Sequence, residues 1–473
     1  MGPAELDLRA FDRGAVTAPA GCGKTELIAR TLATHQERKP FLLLTHTNAG
    51  VAALRCRLDR AGVPPGAYKL STIDGWAIRL ISTFPRRSGH DPAILGVGIQ
   101  ASNYPAIRDA AWRLLQAGHL NDVVRASYSR LIVDEYQDCS LPQHYLVQFL
   151  SAILPTCVVG DPMQAIFGFA DNVLADWRTQ VCGHFPIVGE LRTPWRWRNA
   201  GAEPLGQWLL DVRRQLEAGH GVDLRTGPNQ HVTWILASAA DHAARLQAAR
   251  TVAPTADGRV LLIASSRNRA SQQNFASQTP GASTVESVEL ADLIRFGHSF
   301  DVNAADALQQ LLGLGQSVMT HLGVPDLLRR LETLRRGTNR NPPNDAERQA
   351  LAFQAAPSHA SAAALLSELR GLPGVRIFRP AILFGALKAL RAAAPGVAAL
   401  AEATKRVREE NRLIGRALPR RAVGSTLLLK GLEAEAAVIL DTEGMNAANL
   451  YVALTRGSMK LVVCHSTPVL LRP

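Results

Sequence analysis

Ala18-Pro19-Ala20-Gly21-Cys22-Gly23-Lys24-Thr25 runs directly into Glu26-Leu27-Ile28-Ala29-Arg30-Thr31-Leu32-Ala33, and this junction decides the fold. Small residues let successive backbone N–H groups converge on one point. The helical pattern that follows aims its positive N-terminal end at the same point, which therefore suits an anion. Gly21, Gly23, Lys24 and Thr25 stand in the register of a phosphate-binding loop, with Ala18 where the strict pattern has glycine. Ala20, Gly21, Cys22 and Gly23 supply the cradle, Lys24 the charge for β/γ-phosphate, and Thr25 a Mg²⁺ ligand.

Two apolar strands ending in polar groups follow. Leu131-Ile-Val-Asp-Glu-Tyr-Gln-Asp138 closes on paired acids, of which Asp134 suits Mg²⁺ and Glu135 suits polarising the attacking water. Cys157-Val-Val-Gly-Asp-Pro-Met-Gln164 closes on Gln164, an amide able to orient water or sense the γ-phosphate. Strands predicted at Phe41–Thr45, Leu131–Val133 and Thr156–Val159 alternate with helical stretches. A further set is predicted at Val232–Leu236, Arg259–Ile263, Ala437–Leu440 and Leu461–Val463. This is the rhythm of α/β architecture with parallel sheets, and here two of them. Thr83–Ser127 and Thr284–Arg420 interrupt it as helical insertions, the second carrying an exposed loop predicted at Arg336–Glu347.

Composition agrees. The chain has 473 residues, enough for two to four domains. Hydrophobic residues at 47% and charged residues at 19% exclude global disorder. Lys plus Arg at 52 against Asp plus Glu at 40 leaves a net +12, a balance that hints at a polyanionic partner. The most apolar stretch, Ile382–Ala401, is broken by Lys388, Arg391 and Pro395, so no membrane span is expected. Glu5, Asp7 and Asp12 precede any apolar run, unlike a secretory signal. The six cysteines form no Cys-x-x-Cys pair, which disfavours zinc ribbons and disulfide frameworks and fits a reducing cytoplasm.

Taken in order, these segments resemble the motifs of UvrD/Rep/PcrA-like superfamily 1 DNA helicases. Asp134-Glu-Tyr-Gln-Asp138 resembles the family's DExQD box, and Leu191-Arg-Thr-Pro-Trp-Arg196 its Leu-x-x-Asn-Tyr-Arg. Lys430-Gly-Leu-Glu433 matches Lys-Gly-Leu-Glu, and Leu450-Tyr-Val-Ala-Leu-Thr-Arg456 is similar to the last motif. The resemblance implies two RecA-like P-loop NTPase domains with ATP and Mg²⁺ as cofactors. Domain 1A would comprise residues 1–82 and 128–190, with a small helical insertion 1B at 83–127. Domain 2A would comprise 191–283 and 421–473, with helical insertion 2B at 284–420. Arg196 and Arg456 would stabilise charge on the transferring phosphoryl group, and Glu433 would contact the ribose. Trp195 stands where a ring stacks on adenine, although ordinary core packing explains it equally well.

For single-stranded DNA, the resemblance points to Thr45 and Asn48 within Phe41-Leu-Leu-Leu-Thr-His-Thr-Asn48 and to Thr72 within Ser71-Thr72. It also points to Phe167 and Phe169 within Gln164-Ala-Ile-Phe-Gly-Phe169, whose rings would stack on bases unless they are core. The expected activity is an ATP-dependent 3′–5′ helicase or translocase in DNA repair or anti-phage defence. The chain departs from the family pattern at His46, Asp74, Ala170, Pro194 and Leu427, and its first glutamine, Gln36, lies after the phosphate loop. These departures bear on unwinding and base selectivity more than on hydrolysis. A second reading is therefore an ATP-gated sensor of DNA ends that regulates a separate nuclease subunit, similar to the helicase-like subunit of a Gabija-type anti-phage system. The arginines at 329, 330, 335, 336 and 340, and the basic residues at 405, 406, 408, 412 and 416, are interspersed with acids and read first as solvated helix faces.

Overall fold

In the computed structural model, the described residues are 6–96, 103–168, 173–238, 240–394, 396, 398–414 and 419–471, with backbone alone at 412–414. Contacts divide the chain into two compact units, Met1–Trp234 with Gly444–Leu461 and Thr467–Pro473, and Ile235–Glu443 with Val462–Ser466.

The first unit is built on strands β1 (Arg13–Thr17), β2 (Phe41–Thr45), β3 (Tyr68–Thr72), β4 (Leu131–Val133), β5 (Thr156–Gly160) and β6 (Ile187–Glu190). They lie in the order β3-β2-β4-β5-β1-β6, every neighbour parallel. Period-2 alternation sends successive side chains into different cores. Leu42, Leu44, Leu131, Val133 and Val158 enter one, whereas Phe41, Leu43, Ile132, Cys157 and Val159 enter the other. Helix Tyr104–Gln116, from the first insertion, packs Ile107, Ala110 and Leu114 into the former.

Because all six strands are parallel, their carboxyl ends share one edge, where open α/β sheets bind ligands. β5 lies between β1 and β4. The loops beginning at Ala18, Asp134 and Asp161 are therefore neighbours.

The second sheet comprises β7 (Val232–Leu236), β8 (Val260–Ile263), β9 (Ala282–Thr284), β10 (Arg421–Gly424), β11 (Ala434–Ile439) and β12 (Gly457–His465). Its order is β9-β10-β8-β11-β12-β7, with β9–β10, β10–β8 and β8–β11 parallel. The whole is the expected α/β class, two RecA-like parallel sheets with helical insertions. Between β9 and β10 stands a helical bundle around Leu293, Leu311, Leu366, Leu383 and Leu390.

Three local expectations need correction. β11 begins three residues before the predicted Ala437, and β12 extends well beyond Leu461–Val463 on both sides. The stretch Thr284–Arg420, read as a helical insertion, also holds a short antiparallel ribbon, Met319–Thr320 against Arg376–Ile377. The loop predicted to reach Glu347 ends at Asn344, because Asn344 and Glu347 form a capping box that starts helix Asp345–Ala355. Glu347 is then buried against the Arg330 guanidinium at 2.5 Å.

Candidate nucleotide-binding site

The phosphate loop is held open to an anion. Gly21 (φ 68°) and Gly23 (φ 89°) adopt left-handed backbone that side chains disfavour, and Gly23 caps helix Lys24–Ala33 without any side-chain acceptor. The N–H groups of the first helical turn thus retain capacity for phosphate oxygens. Two short helices brace the loop. The Ala20 N–H donates to the Tyr451 hydroxyl at 3.1 Å, and the Arg196 N–H donates to the Gly21 carbonyl at 3.0 Å. A Cβ on Gly21 would stand 2.6 Å from the Trp197 ring, so glycine is required on steric grounds as well. Cys22 is buried, which pushes its thiol up to about 12 and leaves it a packing residue.

Lys24 lies between the paired acids, its ammonium 3.2 Å from Asp134 Oδ1 and 2.5 Å from Glu135 Oε1. Burial alone would lower the lysine's pKa, but the two carboxylates outweigh it and hold the ammonium protonated. The Asp134 carboxyl is also shifted upward, chiefly by burial. Glu135 occupies left-handed backbone (φ 55°, ψ 40°), strain that a non-glycine residue bears at about 1–3 kcal/mol and that concentrates at functional positions.

A chain of polar contacts runs on from Glu135. Gln137 Nε2 donates to Glu135 Oε2 at 2.5 Å, and Gln137 Oε1 accepts the Asp161 N–H at 3.0 Å. The Asp161 carboxylate accepts Gln164 Nε2 on Oδ2 at 3.0 Å and Arg213 on Oδ1 at 3.0 and 3.2 Å. Gln164 Oε1 faces Arg456 Nη2 at 3.5 Å. Arg456 is buried, donating also to the Val452 carbonyl (2.8 Å) and the Thr455 hydroxyl (3.2 Å). Arg196 donates to the Thr455 carbonyl at 2.8 Å and lies over the Trp197 ring at 5.2 Å. Both arginines belong to the same compact unit as Lys24.

The residues present fit a divalent cation. Asp134 Oδ1 is buried, and beyond the Lys24 ammonium no donor among the described residues reaches it. The Thr25 hydroxyl accepts Arg57 Nη1 at 3.0 Å and keeps a second lone pair. No group of three or more His, Cys, Asp or Glu side chains forms a metal cage among the described residues. One carboxylate and one hydroxyl, completed by substrate phosphates and water, is the donor set that suits Mg²⁺.

Thr45, Asn48 and Thr72, expected at DNA, lie at or just past the carboxyl ends of β2 and β3 along the same sheet edge. Thr45 ends β2 as a buried residue, and Asn48 opens helix Asn48–Arg60 as an exposed one. Thr72 accepts the Gly75 N–H at 2.9 Å, capping helix Ile73–Thr83. The ring of Phe167 packs against that of His46 at 5.6 Å, and Phe169 lies outside the described residues. Trp195 is half-buried beneath the Arg198 guanidinium (5.3 Å), and its buried indole N–H has no acceptor among the described residues. Glu433, between helix Thr426–Leu429 and β11, belongs to the second unit. Among the described residues, five of the ten basic residues read as solvated faces are in ion pairs: Arg329 with Asp326, Arg330 with Glu347, Arg336 with Glu332, Lys405 with Glu402, and Arg408 with Glu289 and Glu409. Arg412 and Arg416 are without described side chains.

Sequence reasoning passed over Gln137, Asp161, Arg213 and Tyr451. Three of them stand inside quoted motifs. Arg213 had a signal of its own, since it shares the apolar face of helix Glu203–Glu217 with Leu205, Leu209, Val212 and Leu216. A buried guanidinium there demands a carboxylate partner.

Residues 11–170, about a third of the chain, match a family model described as an AAA domain. No curated protein matches the chain. Two solved structures of Arterivirus nonstructural protein 10 (helicase) are similar, one of them a complex with DNA. Both show 10% identity over 97% of this chain, with TM-scores of 0.36 and 0.35. The chain spans 62% and 61% of those two chains, about three fifths of their length. The matched segment holds Lys24, Thr25, Asp134, Glu135 and Gln164 together, so this part of the chain is a P-loop module of nucleotide-binding, NTPase type.

Proposed function

We propose that this protein is an ATP-dependent DNA motor of UvrD-like type, coupling hydrolysis to movement along single-stranded DNA. The observation that supports it is the unbroken polar path from Lys24 and Glu135 through Gln137, Asp161 and Gln164 to Arg456. A binding module has no need for a water-activating acid joined to a guanidinium across two oriented amides.

In this reading Lys24 and the loop N–H groups hold the triphosphate, and Glu135 accepts a proton from the attacking water. The water oxygen bonds to the γ-phosphorus, the bond to the β–γ bridging oxygen breaks, and ADP and phosphate leave. Arg196 and Arg456 stabilise the charge spread over the equatorial oxygens, and Gln164 positions the water. Asp134 and Thr25 would hold Mg²⁺, which when bound neutralises phosphate charge. Trp195 offers a face to the adenine and, beside it, an N–H with no acceptor among the described residues, and Glu433 is assigned to the ribose. Thr45, Asn48, Thr72, Phe167 and Phe169 are the proposed DNA contacts, with 3′–5′ movement and a role in repair or anti-phage defence following from the resemblance.

The test is ATP turnover with and without short single strands. DNA should stimulate it, with a steep salt penalty from lost phosphate contacts, and Lys24→Ala and Glu135→Gln should each abolish it. Turnover that persists in both variants refutes these roles.

One observation favours the sensor reading. Thr72, expected at DNA, caps a helix, and Asp74, a departure from the family pattern, is locked to Arg108, so both positions have structural employment. In that case a strand-displacement assay shows ATP consumption without unwinding, and a separate nuclease subunit is the partner to seek.

A further inference from the structure

Asp161 and Arg213 occupy the centre of the polar path, and nothing in the phosphate-loop chemistry itself calls for either. Asp161 is fully buried and Arg213 nearly so. Arg213 comes from helix Glu203–Glu217, far in sequence from the loops it serves, and also donates to Glu217 at 2.9 Å.

A glutamine side chain can turn over and exchange its carbonyl for its amino group, so its usefulness depends on what fixes it. A carboxylate only accepts. Asp161 Oδ2 therefore takes the amino end of Gln164, which leaves Oε1 as the end facing Arg456. The Asp161 N–H only donates. It therefore takes the carbonyl end of Gln137, which leaves Nε2 as the end facing Glu135. One residue thus sets both amides, one through its side chain and the other through its backbone. Gly160, just before it, leaves the room this requires, since a Cβ there would stand 2.6 Å from Gln137 Oε1.

We propose that Arg213 is a positioning residue for phosphoryl transfer. By holding Asp161 Oδ1 with two N–H groups, it aims Oδ2 at Gln164 and so presents the Gln164 carbonyl to Arg456. The inference rests on the hydrolytic reading above and extends it to a residue that touches neither nucleotide nor water. A guanidinium is suited to the task because its fork grips in a fixed plane, which a lysine ammonium does not do.

The experiment measures kcat, ADP affinity by calorimetry, and thermal stability in Arg213→Met, Arg213→Lys and the double variant Arg213→Met/Asp161→Asn. Arg213→Met should lower kcat by about 10²-fold, the scale of a misplaced catalytic group, with ADP affinity unchanged. Arg213→Lys should recover only part of it. Arg213→Met also strands a buried carboxylate and should melt early, whereas the double variant removes both charges and should regain its melting temperature. If Arg213 positions Gln164, kcat stays low in the double variant, because an asparagine at 161 accepts or donates and no longer fixes the amide. Recovery of kcat together with stability shows a merely structural pair and overturns the proposal, as does a joint fall in kcat and ADP affinity or a wild-type kcat in Arg213→Met. A wild-type chain inert toward nucleoside triphosphates, with and without DNA, overturns the hydrolytic reading and this inference together. Wild-type turnover with unaffected variants overturns this inference alone.

Discussion

The Tyr451 hydroxyl accepts the backbone N–H of Ala20 at 3.1 Å, joining the phosphate loop to a helix 431 residues further along the chain. Both partners are buried, and burial pushes the phenol well above its ordinary pKa, so it stays a neutral hydroxyl. Tyr451→Phe keeps the ring and leaves the Ala20 N–H unsatisfied, a loss of about 1–3 kcal/mol. Urea denaturation should show that loss, and calorimetry a weaker affinity for ADP, because the loop no longer starts from its binding shape. Identical stability and affinity in the variant would remove the hydroxyl from the site.

Gly160 ends β5 where Gln137 passes closest. A Cβ would meet Gln137 Oε1 at 2.6 Å, the Trp177 ring at 2.9 Å and the Gln137 backbone nitrogen at 3.1 Å. Gly160→Ala therefore displaces Gln137 from Glu135 and overpacks the site by about 1–3 kcal/mol. The expected result is turnover reduced about tenfold or more, out of proportion to any change in ADP binding. Steady-state kinetics beside ADP calorimetry checks this, and a variant with normal turnover would show that Gln137 does not orient Glu135.

How much of this was legible beforehand depended on whether the chemistry is local. Phe41–Thr45 and Leu131–Val133 were predicted to the residue, because four or three consecutive apolar positions suffice for a strand buried on both faces. β1, β3 and β6 were not predicted. Arg13-Gly-Ala-Val-Thr17 mixes a charge, a glycine and an alanine, and Tyr68–Thr72 and Ile187–Glu190 are only partly buried, so only pairing in the sheet makes them strands. Lys24, Asp134, Glu135 and Gln164 were legible because each sits in a loop whose backbone does the work. For Arg213 the apolar face of its helix signals burial, but its partner is 52 residues away and no local pattern names it.

Asp74 stands where the resemblance leads one to expect histidine, and the structure gives it an occupation. Arg108 Nε and Nη2 donate to its two oxygens at 2.7 and 2.8 Å, and Gln143 Nε2 adds a third bond at 3.1 Å. This fixes helix Ile73–Thr83 to helix Tyr104–Gln116. A double-mutant cycle with Asp74→Asn and Arg108→Met should give a coupling of about 0.5–3 kcal/mol by denaturant unfolding. Additive losses would leave the pair without energetic meaning. The same variants measured for DNA stimulation of ATP turnover ask whether Asp74 serves DNA, and the expected answer is no change beyond that due to stability.

His144 supplies the pH dependence. It lies beneath the strand edge with Nδ1 2.8 Å from the Tyr136 hydroxyl, and burial, aided by the nearby His184, lowers its pKa from 6.5 to about 4. The folded chain thus keeps this ring neutral across a window in which the unfolded chain protonates it. Stability from this group is complete above about pH 6.5 and is lost as pH falls toward 4, because the unfolded state binds the extra proton there. His144→Gln retains a hydrogen bond to Tyr136 and cannot titrate. Melting temperatures from pH 7.5 to 4.5 should therefore fall more steeply in the wild type than in the variant, although the variant starts lower. His184, lowered mainly by its own burial, contributes in the same direction in both chains, so the difference in slope isolates His144. Parallel slopes would mean that the ring is charged inside the fold, and that the Tyr136 contact is made by an imidazolium.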